Sequence, residues 1–235
     1  MCGIIGYVGS RASKPLLIQG LERLEYRGYD SAGIALLEAD GLDYVRAVGN
    51  LQNLKDKAGP NGSQSTTGLG HTRWATHGGV TEANAHPLTA CDDSLMSIVL
   101  NGIVENYREL RESLQEAGHT FSSETDAEVV AHLLEDAYEG DLVAAMRTAY
   151  AKLEGHFTFV LIHRDHPNHL VGVRHQTPMV VGLSQEHLDY MLSRVPMGRL
   201  AKTEEAAELI AFLGSDRMTF STGAAFDLSG GRLTY

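Results

Sequence analysis

The sequence predicts a layered α+β domain, and two observations favour that fold class. Predicted strands stand both before and after a block of three predicted helices, a pattern typical of separate sheet and helix layers rather than of strictly alternating βαβ units. The length of 235 residues and the hydrophobic content of 43% suit one large domain or two small ones with a substantial core.

The first half of the chain is predicted to contribute strands, one helix and a loop. Leucines recur at helical spacing between residues 14 and 26, which predicts a helix that ends before Gly28. The polar stretch 52–67 is predicted to be a loop. Three strands are expected over residues 3–9, 32–38 and 44–48. The last two are predicted to pair across the turn Ala39-Asp40-Gly41.

The second half is predicted to hold a strand, the block of helices and further strands. The apolar run 94–100 predicts a strand that leads into the polar pair Asn101-Gly102. Ser123 and Asp126 resemble a capping box at the start of the second helix. Helices are expected over residues 104–117, 125–138 and 141–153, and strands over residues 157–163, 169–174 and 179–183.

Charge and hydropathy exclude several classes of partner. The formal net charge of −11 disfavours a nucleic acid, and no apolar run approaches the ~18–20 residues of a membrane span. The N-terminus has no basic segment followed by a long apolar one, so no secretory signal is expected. These features predict a cytoplasmic protein in which Cys2 and Cys91 remain reduced.

The start of the chain, Met1-Cys2-Gly3, contains a candidate nucleophile. Removal of Met1 would leave a thiol and an α-amine on the same Cα. The unperturbed pKa values, ~7.7–8.0 for the amine and ~8.5 for the thiol, would let the pair share one proton near neutral pH. The alternative is that Cys2 has no catalytic meaning, because many chains place a small residue after the initiating methionine.

Three further polar groups stand at the ends of apolar runs. Arg73 could grip a carboxylate bidentately and lies beside the large aromatic Trp74. Asn101-Gly102 offers a side-chain amide and an unobstructed backbone N–H, the two donors that an acyl-transfer oxyanion needs. Asp126 could accept hydrogen bonds from an ammonium group. With Cys2, these groups match an α-amino acid whose side-chain carbonyl is attacked.

Each of these groups also has a purely structural interpretation. Arg27 and Asp30, in the segment YRGYDSAG, could form a surface ion pair instead of supporting a site. The remaining structural alternatives are a core position for Trp74, a hairpin turn at Asn101-Gly102 and a helix cap at Asp126.

Six segments occur in order within roughly residues 1–183: MCGIIGYVG, YRGYDSAG, HTRWATHG, NAHP, NGIVENY and SETDAEVVAHL. Together they resemble the glutaminase domain of the glucosamine-6-phosphate synthase family, whose members are N-terminal-nucleophile amidotransferases. The resemblance implies a four-layer α-β-β-α sandwich, glutamine as substrate and no metal or cofactor. It also implies a synthase domain or subunit that accepts the ammonia.

The resemblance assigns roles to individual residues. It implies Cys2 as nucleophile with its α-amine as general base, and Asn101 with the Gly102 N–H as oxyanion hole. It implies that Arg73 holds the α-carboxylate of glutamine and that Asp126 receives the α-ammonium. The implied reaction releases ammonia and then hydrolyses a γ-glutamyl thioester. Pocket or supporting roles are implied for Thr76, His77, Trp74 and Arg27.

Two other groups of side chains are not assigned a function. His163, His166 and His169 are predicted to lie in a polar turn rather than a metal site, since Pro167 breaks any helix that would align them. Cys91 stands beside Asp92 and Asp93, whose negative charges are expected to raise the pKa of its thiol.

The family resemblance ends near Leu183, which predicts an amidotransferase domain over residues 1–183 and an atypical tail over residues 184–235. Residues from about 195 to 235 resemble the C-terminal end of short-chain dehydrogenases, with one helix and one strand. A dehydrogenase function is excluded, because the chain has neither the glycine-rich turn nor the Tyr-x-x-x-Lys pair.

Two origins of the tail remain open. The chain is either a composite, which we favour, or the tail takes the place of the strands that complete the family's sandwich. A composite would leave the C-terminal strands replaced and the sandwich incomplete. The alternative function is therefore a non-catalytic module with unpaired sheet edges.

Overall fold

The computed structural model describes residues 2–60, 62–182 and 192–199, together with positions 202, 204, 205, 207 and 208. It divides the chain into two units, Met1–Met179 and Val180–Tyr235. Within the described part, the first unit contains two four-stranded antiparallel sheets and five α-helices.

The first sheet is built from the N-terminal third of the chain, and its strands have the order β1-β4-β2-β3. Helices α1 (Ser13–Glu22) and α2 (Leu51–Ala58) belong to the same segment, and a short 3-10 helix spans Glu25–Arg27. The strands are β1 (Gly3–Val8), β2 (Ser31–Glu38), β3 (Gly41–Val48) and β4 (Thr67–Arg73).

The second sheet has the order β5-β6-β7-β8. Its strands are β5 (Leu88–Thr89), β6 (Met96–Val104), β7 (Gly155–His163) and β8 (Val171–His175). The three helices between β6 and β7 are α3 (Tyr107–Glu116), α4 (Glu128–Ala137) and α5 (Leu142–Tyr150).

Three buried apolar clusters define four layers. Leu17 and Leu54 pack α1 and α2 on the outer face of the first sheet. Leu69 of β4 and Ile162 of β7 belong to the cluster between the two sheets. The third cluster joins the second sheet to the helices that follow β6. The predicted α+β sandwich is confirmed, with the layer order helix, sheet, sheet, helix.

Strand β4 is central to the first sheet although its sequence, TGLGHTR, is not an apolar run. It pairs antiparallel with both β1 and β2, and all seven of its residues are buried. The register matches Gly3 with Thr72. The first residues of β1 therefore lie beside the last residues of β4.

The predicted loop over residues 52–67 is wrong for its first part, which forms α2. The side chain of Asn50 caps this helix by accepting the Asn53 N–H at 3.2 Å. Leu51 and Leu54 are buried at helical spacing against the first sheet, and this burial stabilises the helix despite its polar composition.

Two other predictions are corrected. Residues 179–182 are irregular where a strand was expected, and residue 183 is outside the described part. The carboxylate partner of Ser123 at the start of α4 is Glu128, whose Oε2 accepts the Ser123 hydroxyl at 2.6 Å. Asp126 therefore does not complete a capping box.

The second unit is described only in part. Arg199 donates in a fork to Glu205, with Nη1–Oε2 at 2.7 Å and Nη2–Oε1 at 2.6 Å. Positions 204 and 205 are helical, as expected for the opening of the predicted tail helix. Most of that helix and the predicted strand after Met218 lie outside the described residues.

Among the residues that the structure describes, every helix is too short or too polar to cross a bilayer.

Candidate active site

Cys2 precedes β1 and lies beside the end of β4. Its Sγ accepts the backbone N–H of Trp74 at 3.4 Å and lies 3.8 Å from the Trp74 carbonyl oxygen. The pairing of β1 with β4 produces this contact, because Gly3 is matched with Thr72. The sheet register thus fixes the position of the thiol.

Burial raises the pKa of the Cys2 thiol above its ordinary value. The Trp74 N–H and the positive charge of Arg73 act in the opposite direction, because both stabilise a thiolate. Since the net effect favours the protonated thiol near neutral pH, a nucleophilic Cys2 needs a base to remove its proton.

The surface ion pair between Arg27 and Asp30, considered above as an alternative, does not form. Each of the two side chains has a different partner. Arg27 Nη1 donates to the Cys2 carbonyl oxygen at 3.3 Å. Asp30 Oδ2 accepts the Ala75 N–H at 2.6 Å, and the Asp30 N–H donates to the Arg73 carbonyl at 2.7 Å. Both side chains therefore brace the backbone around the thiol.

Arg73 is the last residue of β4 and is buried. Its guanidinium donates to the carbonyl oxygens of His77 at 2.5 Å, Gly79 at 3.1 Å and Gly78 at 3.4 Å. These bonds fix the plane of the guanidinium and use at most three of its five N–H donors. A buried guanidinium with a fixed orientation and unused N–H donors is suited to bind a carboxylate.

Asp126 is buried in the connection that leads into α4. Its Oδ2 accepts the Val104 N–H at 2.8 Å, and its Oδ1 lies 3.6 Å from His77 Nδ1. Burial raises the pKa of Asp126, while the Val104 N–H and His77 lower it. The N-cap residue of α4 is Ala127 rather than Asp126, whose carboxylate also holds the end of β6 through the Val104 N–H.

Asn101 and Gly102 lie within β6, so the hairpin-turn alternative is also wrong. They pair with Thr158 and Phe157 of β7. Gly102 has φ +131°, and a Cβ at this position would stand 2.0 Å from the His156 carbonyl oxygen. Only glycine fits this combination of backbone conformation and close approach.

One small cavity collects most of the predicted site residues. It is lined by Cys2, Arg73, Trp74, Thr76, His77, Gly102 and Asp126. Trp74 is 54% exposed, which excludes the core position of its structural alternative. Asn101 and Arg27 are not among the lining residues, although each adjoins one of them in the chain or by a hydrogen bond.

The structure adds His86 to the cavity lining, a residue to which the sequence assigned no role. His86 is buried against His71, with ring centroids 4.3 Å apart, and His71 Nε2 lies 3.0 Å from the Leu100 carbonyl oxygen. Burial lowers the pKa of His71 to about 3 and that of His86 well below its usual range. Both rings are therefore neutral beside Arg73.

Asn84 and Glu124 form a hydrogen-bonded link between two loops that the sequence did not indicate. Asn84 Nδ2 donates to Glu124 Oε2 at 2.9 Å and to the Gly79 carbonyl at 3.0 Å. The Glu124 N–H returns to Asn84 Oδ1 at 2.8 Å. These bonds tie the turn that holds Arg73 to the connection that carries Asp126.

The predicted polar turn holds for His166 and His169, which lie in the connection from β7 to β8, whereas His163 is the buried last residue of β7. The His166 N–H donates to the His163 carbonyl at 3.0 Å, and the His169 N–H donates to the His166 carbonyl at 3.1 Å. The pKa of Cys91 is raised, as expected, but by burial and by Glu135 and Glu128 rather than by the neighbouring aspartates.

Comparison with known proteins identifies the family. A sequence profile described as a glutamine amidotransferase domain matches residues 71–192. The glutamine–fructose-6-phosphate aminotransferase (isomerizing) of Thermus thermophilus is 49% identical over 196 residues, which cover 83% of this chain and 32% of that protein. The Streptomyces coelicolor protein of the same name is 47% identical over 212 residues, which cover 89% and 34%.

This chain thus spans about a third of the length of the curated relatives it matches. The S. coelicolor alignment extends beyond residue 183, the limit expected for the family resemblance. The resemblance of the tail to short-chain dehydrogenases has no support among these matches.

Solved structures support the fold. The glutamine phosphoribosylpyrophosphate amidotransferase of B. subtilis, complexed with ADP and GMP, has a TM-score of 0.61 at 22% identity and covers 70% of this chain and 35% of its own. A structure described as the allosteric regulatory enzyme of purine biosynthesis has a TM-score of 0.62 at 23% identity, over 70% and 36%.

The geometry of Gly102 generates a stability prediction. The variant Gly102→Ala is expected to lose more than about 3 kcal/mol of unfolding free energy, because left-handed strain and a backbone clash add together. Gly118→Ala is the matched control, since Gly118 has φ +102° and open space around the position of a Cβ. It should lose about 1 kcal/mol. Urea denaturation measures both, and equal losses would contradict the steric account.

Proposed function

We propose that this chain, which belongs to the glutamine amidotransferase family, hydrolyses the side-chain amide of glutamine through a thioester on Cys2. Glutamine is the substrate of this family's domain. The assignment of individual residues to steps of the reaction is part of the proposal.

The strongest support for this proposal is the set of side chains that line the small cavity. A thiol, a buried guanidinium and a buried carboxylate, from Cys2, Arg73 and Asp126, line the same space. An α-amino acid carries a carboxylate and an ammonium on its Cα, which complement Arg73 and Asp126. The third group, the γ-carboxamide of glutamine, would then face the thiol.

The first half of the reaction forms the thioester. The α-amine of Cys2, once Met1 is removed, takes the thiol proton, and Sγ attacks the γ-carbonyl carbon. The carbonyl π electrons move to oxygen, where the Asn101 amide and the Gly102 N–H stabilise the negative charge. The protonated α-amine then gives its proton to the leaving nitrogen. The C–N bond breaks, and ammonia departs as the thioester forms.

The second half returns the thiol. A water molecule loses a proton to the α-amine as its oxygen attacks the thioester carbonyl, and the oxyanion again uses the same two donors. The C–S bond then breaks, glutamate is released, and Sγ recovers the proton. The raised pKa of the buried thiol supports a role for the α-amine, because the proton must be removed for attack and returned afterwards.

Pocket and supporting residues complete the proposal. His77 lines the cavity and stands between Asp126 and Tyr107, with its ring edge-on to Tyr107 at 5.2 Å. The Trp74 side chain is exposed at the same cavity and is the proposed cover for a bound substrate. Thr76 lines the same cavity, and Arg27 holds the Cys2 carbonyl.

We further propose that the ammonia is used for amination of a sugar phosphate, as the names of the relatives indicate for those proteins. In that scheme residues 1–183 form the glutaminase domain, and a synthase domain or subunit outside this chain accepts the ammonia. The reaction requires a reduced thiol at Cys2, which fits a reducing compartment such as the cytoplasm.

The first test is glutamate release by chain from which Met1 has been removed, verified by intact mass. We expect Cys2→Ala to lower the rate at least about 10³-fold, because no other group supplies the nucleophile. Chain that retains Met1 should be similarly inactive, since its Cys2 nitrogen is an amide without a basic lone pair. Equal glutamate release by wild type and Cys2→Ala would overturn the proposal.

The second test concerns recognition of the α-carboxylate. Arg73→Lys is expected to raise KM for glutamine about 10–100-fold with a smaller change in kcat, because a lysine cannot form the bidentate pair. Arg147→Lys, on the exposed side of α5, is the matched control and should leave KM unchanged. A wild-type KM in a folded Arg73→Lys variant would contradict the assigned role of Arg73.

A further inference from the structure

A second cluster of reactive side chains lies outside the cavity of Cys2. Cys91 follows β5, His119 lies in the connection from α3 to α4, and His132 and Glu135 belong to α4. One ligand atom from each lies within 4.8 Å of every other one. Residues from three separate segments therefore converge on one point.

Four of the six distances between the candidate ligand atoms are close to those in the coordination shell of one metal ion. Cys91 Sγ lies 3.5 Å from His119 Nδ1 and 3.6 Å from His132 Nδ1. Glu135 Oε2 lies 3.2 Å and 3.7 Å from the same two nitrogens. With metal–sulfur bonds of ~2.3 Å and metal–nitrogen or metal–oxygen bonds of ~2.0–2.2 Å, tetrahedral ligand atoms stand roughly 3.3–3.6 Å apart.

We propose that Cys91, His119, His132 and Glu135 bind one divalent transition-metal ion, with zinc as the expected occupant. One thiolate, two imidazoles and one carboxylate form a tetrahedral donor set of the kind that zinc prefers. The thiolate and imidazoles disfavour magnesium and calcium, which take oxygen ligands. The inference stands independently of the proposed glutaminase function.

The surroundings of the cluster orient its ligands. His132 is fully buried, and its Nε2 makes no hydrogen bond within the described part of the chain. That nitrogen lies 3.7 Å from Glu128 Oε1, so a metal on Nδ1 would leave Nε2–H facing a carboxylate. A carboxylate behind a metal-bound imidazole is a recurrent feature of zinc sites.

Backbone N–H groups hold two more of the four ligands, Cys91 and Glu135, in place. Glu135 accepts the Cys91 N–H at 3.2 Å on Oε2 and the Asp92 N–H at 2.9 Å on Oε1. The Thr120 N–H donates to Cys91 Sγ at 3.4 Å, a contact that stabilises a thiolate. The carboxylate and the sulfur are thus positioned by the fold before any ion binds.

The predicted role of the ion is structural. Four protein ligands close the coordination shell, as in structural rather than catalytic zinc sites. The ion would join the end of β5 and α4 to the connection after α3, the same connection that continues to Asp126. Glu128, behind His132, also accepts the N–H groups of Ser122 at 2.6 Å and Ser123 at 2.8 Å. The site would therefore stiffen this connection.

The experiment uses the full, untagged chain after removal of metals by a chelator. Titration with Co²⁺ should reach one ion per chain and produce a sulfur-to-cobalt charge-transfer band with the intense visible bands of tetrahedral cobalt. Zn²⁺ should displace the cobalt, and elemental analysis after gel filtration should give one zinc per chain. The absence of stoichiometric binding would overturn the proposal.

Variants identify the ligands. Cys91→Ser should abolish the charge-transfer band and weaken zinc binding more than about 100-fold, because loss of an outer partner alone costs ~10–100-fold. Cys2→Ala removes the other thiol, and His169→Asn removes an exposed imidazole outside the cluster. Both should retain the band and the stoichiometry.

A band that disappears in Cys2→Ala, or persists in Cys91→Ser, would place the metal elsewhere and overturn the assignment. If Cys91→Ser fails to fold, Cys2→Ala still decides the question, because Cys91 is then the one thiol left to produce the band. Because no arm measures glutamate release, a negative result here leaves the test of the glutaminase proposal unaffected.

Discussion

The antiparallel pairing of β1 with β4 is the constraint on which the site depends. It matches Gly3 with Thr72, so the residue before β1 meets the residues that end β4. The Cys2 thiol is held by the backbone of Trp74 through this register, beside the buried cation of Arg73. A slip by one residue would turn the side chains of β1 to the opposite face of the sheet, so the buried sandwich fixes the nucleophile's position.

Burial also controls the electrostatics of the cavity. Desolvation raises the pKa of both Cys2 and Asp126 and lowers those of His71 and His86, so each group is biased towards its neutral form. Arg73 remains the principal positive charge. A bound zwitterionic amino acid would neutralise the charges of the cavity. Its carboxylate would pair with Arg73, and its ammonium would favour an ionised Asp126. Substrate charge and site charge are therefore complementary.

The sequence predicted the fold class, most strands and helices, and the polar groups that line the cavity, because long apolar runs and short polar motifs carry local signals. It missed β4, whose glycines and polar residues are buried by both neighbouring strands. It missed α2, which depends on the Asn50 cap and on packing against the sheet. The Asn84–Glu124 link and the Cys91 cluster join segments distant in sequence, so no local pattern could reveal them.

Trapping of the covalent intermediate shows whether Cys2 is the nucleophile. Chain from which Met1 has been removed is mixed with glutamine and quenched in acid during the first turnovers. It is then digested at a pH that preserves thioesters, and the peptides are mapped by mass spectrometry. If Cys2 is the nucleophile, we expect one γ-glutamyl group on the peptide that begins with Cys2. An adduct on another residue, or steady glutamate formation without an adduct on Cys2 at any quench time, would contradict that role of Cys2.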